Sequence, residues 1–150
     1  MRFQLWHVPL RLATGAYILN SGVNKWNADD EEVHKGIHWM ASTAYPQVEP
    51  VDPKTFTKAL AGAEIALGTA LLTPVISPGL AGAALTAFSG GLVGLYARTP
   101  SMREDGSLRP SHSGSAVAKD VWLLGIGLAL VIDAATSRAR KLLPRRNSTG

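Results

Sequence analysis

Apolar residues along this chain are concentrated in long stretches that polar segments separate. From Ile65 to Ala97 there are 33 consecutive residues without Asp, Glu, Lys or Arg, and the segment TPVISPG interrupts them near the middle. The two prolines and the glycine of that segment predict a turn between two helices. Residues 56–76 and 78–97 are each close to the ~20 residues that an α-helix needs to cross a bilayer. We therefore predict two membrane-spanning helices here.

Two shorter apolar stretches flank this pair. Residues 5–25 include Arg11, and residues 116–136 include Asp120 and Asp133, so that charge-free cores of 13 and 12 residues remain. Cores of this length also suit the buried helices of a soluble bundle. A soluble domain is the less favoured alternative, because a small chain has little other surface with which to wrap two fully apolar helices. The prediction is an all-α integral membrane four-helix bundle.

The N-terminal stretch has a second interpretation, as a signal peptide. Arg2 precedes an apolar run, which is typical of such a segment. Arg11 interrupts that run, and no convincing cleavage site of small residues follows it. We therefore expect a retained first helix.

The segment DDEEVHKGIHWM (29–40) predicts a short interfacial helix between the first and second spans, with Trp39 and Met40 as apolar anchors. Glu31, His34 and His38 would share one face of it, a spacing that is compatible with metal ligation. A solvated amphipathic helix explains the same residues, and no fourth ligand is evident. We predict no metal site but leave this cluster open.

Basic residues predict the orientation of the chain. The formal net charge is +4, and the segment after the fourth span is strongly basic. By the positive-inside rule, both termini are expected to be cytoplasmic, with residues 1–137 as the transmembrane domain and residues 138–150 as a basic tail. Because basic residues mostly adjoin apolar spans, membrane lipid is a nearer partner than nucleic acid. The residues of the tail that carry this inference are Arg138, Arg140, Lys141, Arg145 and Arg146.

Glu64 is the one acidic residue near the middle of the second span. An ionised side chain at that depth costs about 2.5–3.5 kcal/mol on insertion scales, against about 0.3–0.6 kcal/mol gained per Leu or Ile. A group tolerated there usually faces the bundle and has a partner. Arg11 is the predicted counter-charge, about 6 Å to the cytoplasmic side of the midplane, and Asp133 is a second acid within its reach. The sequence predicts Arg11 between two carboxylates.

A second polar layer is predicted towards the opposite surface, where Lys25 ends the first span and Lys119 and Asp120 begin the fourth. Lysines at helix ends are explained by snorkelling, whereas Asp120 cannot snorkel far and is the better candidate for internal pairing. Glycines predict where helices approach closely. They are Gly15 and Gly22, on one face of the first helix with Arg11, Ile18 and Lys25, then Gly90, Gly94, Gly125 and Gly127.

Three stretches together resemble the DoxX family of small four-helix bacterial membrane proteins. LRLATGAYILNSGVNKW is similar to its first helix, ALAGAEIALGTALLTPVISPGLAGAAL to its second and third, and AKDVWLLGIGLAL to its last. The resemblance covers roughly residues 5–135. It implies a bacterial inner-membrane protein in a membrane-associated oxidoreductase complex, linked to quinone or to thiol and oxidative-stress chemistry. The long 27–54 connection departs from the family pattern.

The resemblance makes a set of polar residues candidates for a quinone or proton site. The chain has no cysteine, so it forms no disulfide, thiolate or cysteine-ligated cluster, and redox electrons must reside on a partner or a bound cofactor. Glu64 and Arg11 are the proposed catalytic proton and charge pair, and quinone is the possible cofactor. The proposed quinone pocket consists of Lys25, Lys119 and Asp120.

Two other functions stay open from the sequence. A non-catalytic membrane anchor would use its buried ion pair only to fix helix register and its basic tail to recruit a soluble redox enzyme. A proton-coupled transporter of small molecules would also use a lone membrane glutamate, although no repeat symmetry supports it. Assembly of several copies of the chain is left open.

Overall fold

The computed structural model describes residues 5–142, with side chains as far as Arg140. Within this range the chain is helical and has no β-strand, which confirms the predicted all-α class. Short 3-10 turns lie at Pro46–Val48 and Pro100–Met102. The α-helices are α1 (His7–Trp26), α2 (Glu31–Ala44), α3 (Pro53–Leu72), α4 (Pro78–Arg98), α5 (Ser115–Ala118) and α6 (Val121–Leu142).

Capping and proline determine where α3 begins and ends. The Asp52 side chain accepts a 2.8 Å hydrogen bond from the backbone N–H of Thr55, and Pro53 occupies the first turn of α3. The helix ends at Leu72, because Pro74 disfavours helical geometry at Thr73. Helix α3 therefore begins and ends earlier than the predicted span 56–76.

The ends of α1 and α4 agree closely with the predicted spans 5–25 and 78–97, whereas the fourth span differs. The stretch 116–136 is divided between α5 and α6, and α6 continues to Leu142. The first part of the predicted tail 138–150 is thus helical, and residues 143–150 lie outside the described range.

The four long helices pack as two antiparallel pairs, α1 with α3 and α4 with α6. Fewer contacts join the pairs, but all four helices contribute to one apolar core. A contact between His7 Nε2 and Asp133 Oδ2, at 3.2 Å, also connects α1 to α6. The core residues are Ile18 of α1, Leu67 and Leu71 of α3, Ala81 and Leu85 of α4, and Leu123 and Leu130 of α6.

Glycines allow α1 and α3 to approach each other closely. A Cβ added to Gly22 would lie 2.9 Å from the Ala61 carbonyl oxygen, and one added to Gly15 would lie 3.1 Å from that of Gly68. Both glycines are buried, so the predicted packing face of α1 is confirmed. Gly68 of α3 is a third close contact, which the spacing of glycines in α1 does not predict, and it faces the backbone of Leu19.

The predicted close contacts of α4 and α6 are confirmed only in part. Gly127 packs against Thr86, and Gly94 faces Tyr45, the residue that directly follows α2. Gly90 and Gly125 have open space beside them, so their prediction as packing residues is wrong. Gly82 of α4, which spacing alone did not single out, also packs closely on α6, since a Cβ added there would lie 2.7 Å from Leu130 Cβ.

Replacing Gly68 by alanine is expected to destabilise the α1–α3 pair by about 1–3 kcal/mol through overpacking. The new Cβ would lie 2.6 Å from the Leu19 backbone nitrogen, so a helix must move. Gly36→Ala is the matched control, because nothing lies within 4 Å of that position in α2. It should leave stability unchanged or raise it slightly. Thermal unfolding in detergent measures both, and equal midpoints would contradict the packing described here.

At the end of the bundle where α1 ends, α2 and the 99–118 segment form a second layer. The predicted short helix between the first two long helices is confirmed as α2. Its last residue, Ala44, joins Leu95 and Met102 in a separate apolar cluster. Met102 is 5% exposed, so the 99–118 segment contributes to the packing of this layer.

Two helices in the described range are long and apolar enough to cross a membrane. They lie within Pro78–Arg98 and Ser115–Arg140. Helices α1 and α3 have similar length, but neither contains so apolar a stretch, and α3 includes Lys54, Lys58 and Glu64.

Candidate functional site

The predicted pair of Arg11 and Glu64 is not formed. The close approach at Gly22 places that residue of α1 opposite Glu64 of α3, since a Cβ added there would lie 2.9 Å from Glu64 Cβ. Arg11 lies eleven residues before Gly22 on α1, about 16 Å away at 1.5 Å per residue. No arginine side chain covers that distance, and the prediction assumed a separation of only about 6 Å. The register of α1 against α3 therefore excludes the pair.

Arg11 instead holds the end of α3 and the turn that follows it. The buried guanidinium donates hydrogen bonds to the carbonyl oxygens of Leu71 at 2.8 Å, Ala70 at 2.9 Å, Thr73 at 2.8 Å and Ile76 at 3.1 Å. Carbonyls in the last turn of a helix have no partner within the helix. Arg11 supplies those partners and places a positive charge at the negative end of the α3 dipole. Its position indicates a structural role.

Glu64 pairs with Lys25. The Lys25 Nζ atom lies 3.0 Å from Glu64 Oε1 and 2.9 Å from Oε2, and it also donates to Ser21 Oγ at 2.6 Å. The Glu64 side chain is 7% exposed and that of Lys25 is 23% exposed. Three acceptors surround an ammonium that has three protons, so the donor capacity of Lys25 is used. Both oxygens of the Glu64 carboxylate accept a hydrogen bond from this ammonium, and the side chain is shielded from water.

Asp120 is the third charged member of this site. It lies in the turn before α6, and its half-buried carboxyl interacts electrostatically with both Glu64 and Lys25. The Lys25 ammonium is therefore bonded to one carboxylate, that of Glu64, and has a second, that of Asp120, in its neighbourhood. We call Lys25, Glu64 and Asp120 the polar centre.

The polar centre lies towards one end of the bundle. Lys25 is the residue before the last residue of α1, and Asp120 directly precedes α6. The Lys25 ammonium reaches back one turn, to Ser21. The site is thus close to the ends of α1 and α6, although Glu64 is near the middle of α3.

The sequence-predicted residues are brought together only in part. The structure groups Lys25 with Glu64 and Asp120, whereas Lys119 is exposed and Arg11 is at the opposite end of α1. Asp133, the second predicted partner of Arg11, contacts His7 instead. Ser21 was missed, and its only signal is that it precedes Lys25 by one helical turn.

The possible metal cluster of α2 does not form a site. Glu31 bonds Lys35 at 3.0 Å, and His38 Nε2 lies 3.1 Å from the carbonyl oxygen of Val48. The third residue, His34, lies on the buried face of α2. Among residues 5–142, no group of three or more His, Cys, Asp or Glu side chains is placed to hold a metal ion.

Comparison with known proteins gives no relative for this chain. No family model, no curated protein and no solved structure matches it.

Proposed function

We propose that this chain is a multi-pass protein of a bacterial inner membrane, with α1, α3, α4 and α6 as its spans. In the two most apolar stretches, only 28% and 17% of the residues are buried within the protein, which a soluble core helix would not show. Helices α1 and α3 are 20 residues each, long enough for the same bilayer, and share the core with α4 and α6.

Aromatic residues at the helix ends support this placement. All four tryptophans of the chain are at least 43% exposed. Trp6 precedes α1, Trp26 ends it, and Trp122 lies in the first turn of α6. Exposed tryptophan at span ends is typical of the membrane interface. Arg138 and Arg140, near the end of α6, favour a cytoplasmic location for both termini.

The polar centre is the proposed site of function, in a subunit of a quinone-linked oxidoreductase complex, as the DoxX resemblance implies. The observation that carries the proposal is the buried Glu64 carboxylate, held by Lys25 and flanked by Asp120. The donor set fits a quinone, since an ammonium suits a carbonyl oxygen and two carboxylates suit the transfer of protons. A bound quinone would supply the two-electron chemistry that this cysteine-free chain lacks.

The residues of the polar centre have different parts in this proposal. Half-buried Asp120 exchanges protons with the surface, and the buried Glu64 carboxylate accepts a proton that the reduced ligand releases. Lys25 positions Glu64 and, in exchange for its hydrogen bond to Ser21, donates one to the carbonyl oxygen of the ligand. Electrons come from a redox enzyme partner.

A quinone-binding experiment tests this function. A short-chain quinone should quench the tryptophan fluorescence of the purified chain saturably, since Trp26 and Trp122 are near the polar centre. Glu64→Gln should weaken binding about tenfold, equivalent to one lost charge-assisted hydrogen bond. The control Glu104→Gln, in the exposed loop after α4, should leave the affinity unchanged. Quenching that does not saturate, or that Glu64→Gln leaves unaffected, would contradict a quinone site.

A non-catalytic membrane anchor is the second candidate, because the Lys25 ammonium is already satisfied by Ser21 and Glu64. Such a closed pair fixes helix register without reacting. The anchor function predicts no quinone binding, together with co-purification of a soluble redox enzyme that is lost when residues 138–150 are removed. Substrate-driven proton flux in liposomes would favour the transporter instead.

A further inference from the structure

A cavity of about 340 Å³ lies between the beginnings of α2 and α3. That volume equals roughly 11 water molecules at ~30 Å³ each, which is room for a small polar molecule. The two helices have 14 and 20 residues, and the caps Asp30 and Asp52 begin them. The cavity is separate from the polar centre. Its lining residues are Asp29, Glu31, His34, Lys35, Asp52, Pro53 and Lys54.

His34 forms part of the cavity wall and is unexplained by the fold. It is 2% exposed, and within residues 5–142 neither of its ring nitrogens has a hydrogen-bond partner. A neutral imidazole has one donor and one acceptor, and leaving either unpaired away from water costs about 1–3 kcal/mol. A polar ligand in the adjacent cavity would relieve that cost after a small rotation of the ring.

The other lining groups carry charges of both signs. Glu31 is neutralised by Lys35 at 3.0 Å. Asp52 stays ionised near neutral pH, because hydrogen bonds from the backbone and side chain of Thr55 hold its pKa below the ordinary value. Asp52 and His34 line the same cavity. Asp29 and Asp52 thus supply negative charge, and Lys54 supplies positive charge.

We propose that this cavity binds a zwitterion with a primary ammonium and a phosphate, the chemistry of a phosphatidylethanolamine headgroup. The ammonium is bound by Asp29 and Asp52, and the phosphate by Lys54 and a His34 N–H. A bare metal ion is a poorer occupant, because the described residues offer no group of three ligands. A simple anion is also poorer, because the carboxylates of Asp29 and Asp52 line the cavity.

The inference that the zwitterion belongs to a lipid rests on the proposed placement of the chain in a membrane. The cavity is at the end of the bundle where Trp26 and Trp39 are 49% and 61% exposed, which suits the headgroup level. Helix α2 would then lie among the headgroups, with the cavity beneath it.

Imidazole NMR of the full chain in detergent micelles tests the site. O-phosphoethanolamine should shift the ring resonances of His34 saturably and leave those of His112, in the exposed 99–118 loop, in place. Asp29→Asn and Lys54→Gln, both at exposed positions that folding tolerates, should each weaken binding about tenfold. Inorganic phosphate and O-phosphocholine should bind more weakly, since one lacks the ammonium and the other lacks its N–H donors.

Absence of a saturable His34 shift, equal affinity for inorganic phosphate, or indifference to both substitutions would overturn the zwitterion site. Bilayer discs distinguish the two sources. With phosphatidylethanolamine, His34 should already show its bound resonance, whereas phosphatidylcholine discs should need added O-phosphoethanolamine. Free resonances in both discs would overturn the lipid source only. Glu64→Gln should leave these shifts unchanged, so failure here and failure of the quinone site are separate results.

Discussion

Replacing Lys25 alone by methionine is expected to lower the free energy of unfolding by about 3–5 kcal/mol, because it leaves an unpaired carboxylate in a buried position. The Glu64 side chain is 7% exposed and takes two hydrogen bonds from the Lys25 ammonium. Ser21 cannot replace that charge. Unfolding of the detergent-solubilised chain, followed by circular dichroism, measures the loss.

The double variant Lys25→Met, Glu64→Leu separates structural from functional importance. It removes both charges, so most of the stability should return, to within about 1–2 kcal/mol of the unmodified chain. Quinone binding should be absent from both the single and the double variant. The control Lys35→Met removes an exposed ion pair with Glu31 and should change little. A double variant as unstable as Lys25→Met would show that burial of the free carboxylate is not the cause.

Replacing Arg11 by methionine is expected to cost about 3–6 kcal/mol. Hydrogen bonds from a charged donor contribute about 1.5–3 kcal/mol each and do not add fully. Four carbonyl oxygens, those of Ala70, Leu71, Thr73 and Ile76, would lose their partner at once. Hydrogen exchange should rise chiefly in the last turn of α3 and in the 73–77 turn.

Arg11→Lys should recover less than half of that loss, because an ammonium lacks the planar fork that reaches several carbonyls at once. Arg109→Met, in the exposed loop, is the control for loss of one arginine. The Arg11 variants should retain quinone binding if they fold, since Arg11 is about 16 Å from the level of Glu64. Selective loss of quinone binding in folded Arg11→Lys would restore the residue to the functional site.

The polar centre was partly predictable. A glutamate in an apolar helix must have a partner, and that requirement singled out Glu64 correctly. The sequence predicts Lys25 and Asp120 in a separate layer, because the predicted span 56–76 places Glu64 near the middle of the membrane and the other two residues at its surface. The actual start of α3 at Pro53 and the contact of Gly22 with Ala61 bring Glu64 within reach of Lys25.

The sequence by itself determined where the long helices lie, since apolar runs, prolines and caps act within a few residues. It also determined that cations and carboxylates must meet inside the bundle. Only the tertiary structure decided which of them meet. Close approach at Gly15, Gly22 and Gly68 sets the register of α1 against α3, and a shift of one turn, about 5.4 Å, changes every partner. The same packing turned Arg11 from a predicted reactive group into the cap of α3, and it buried His34 beside a cavity that no spacing in the sequence revealed.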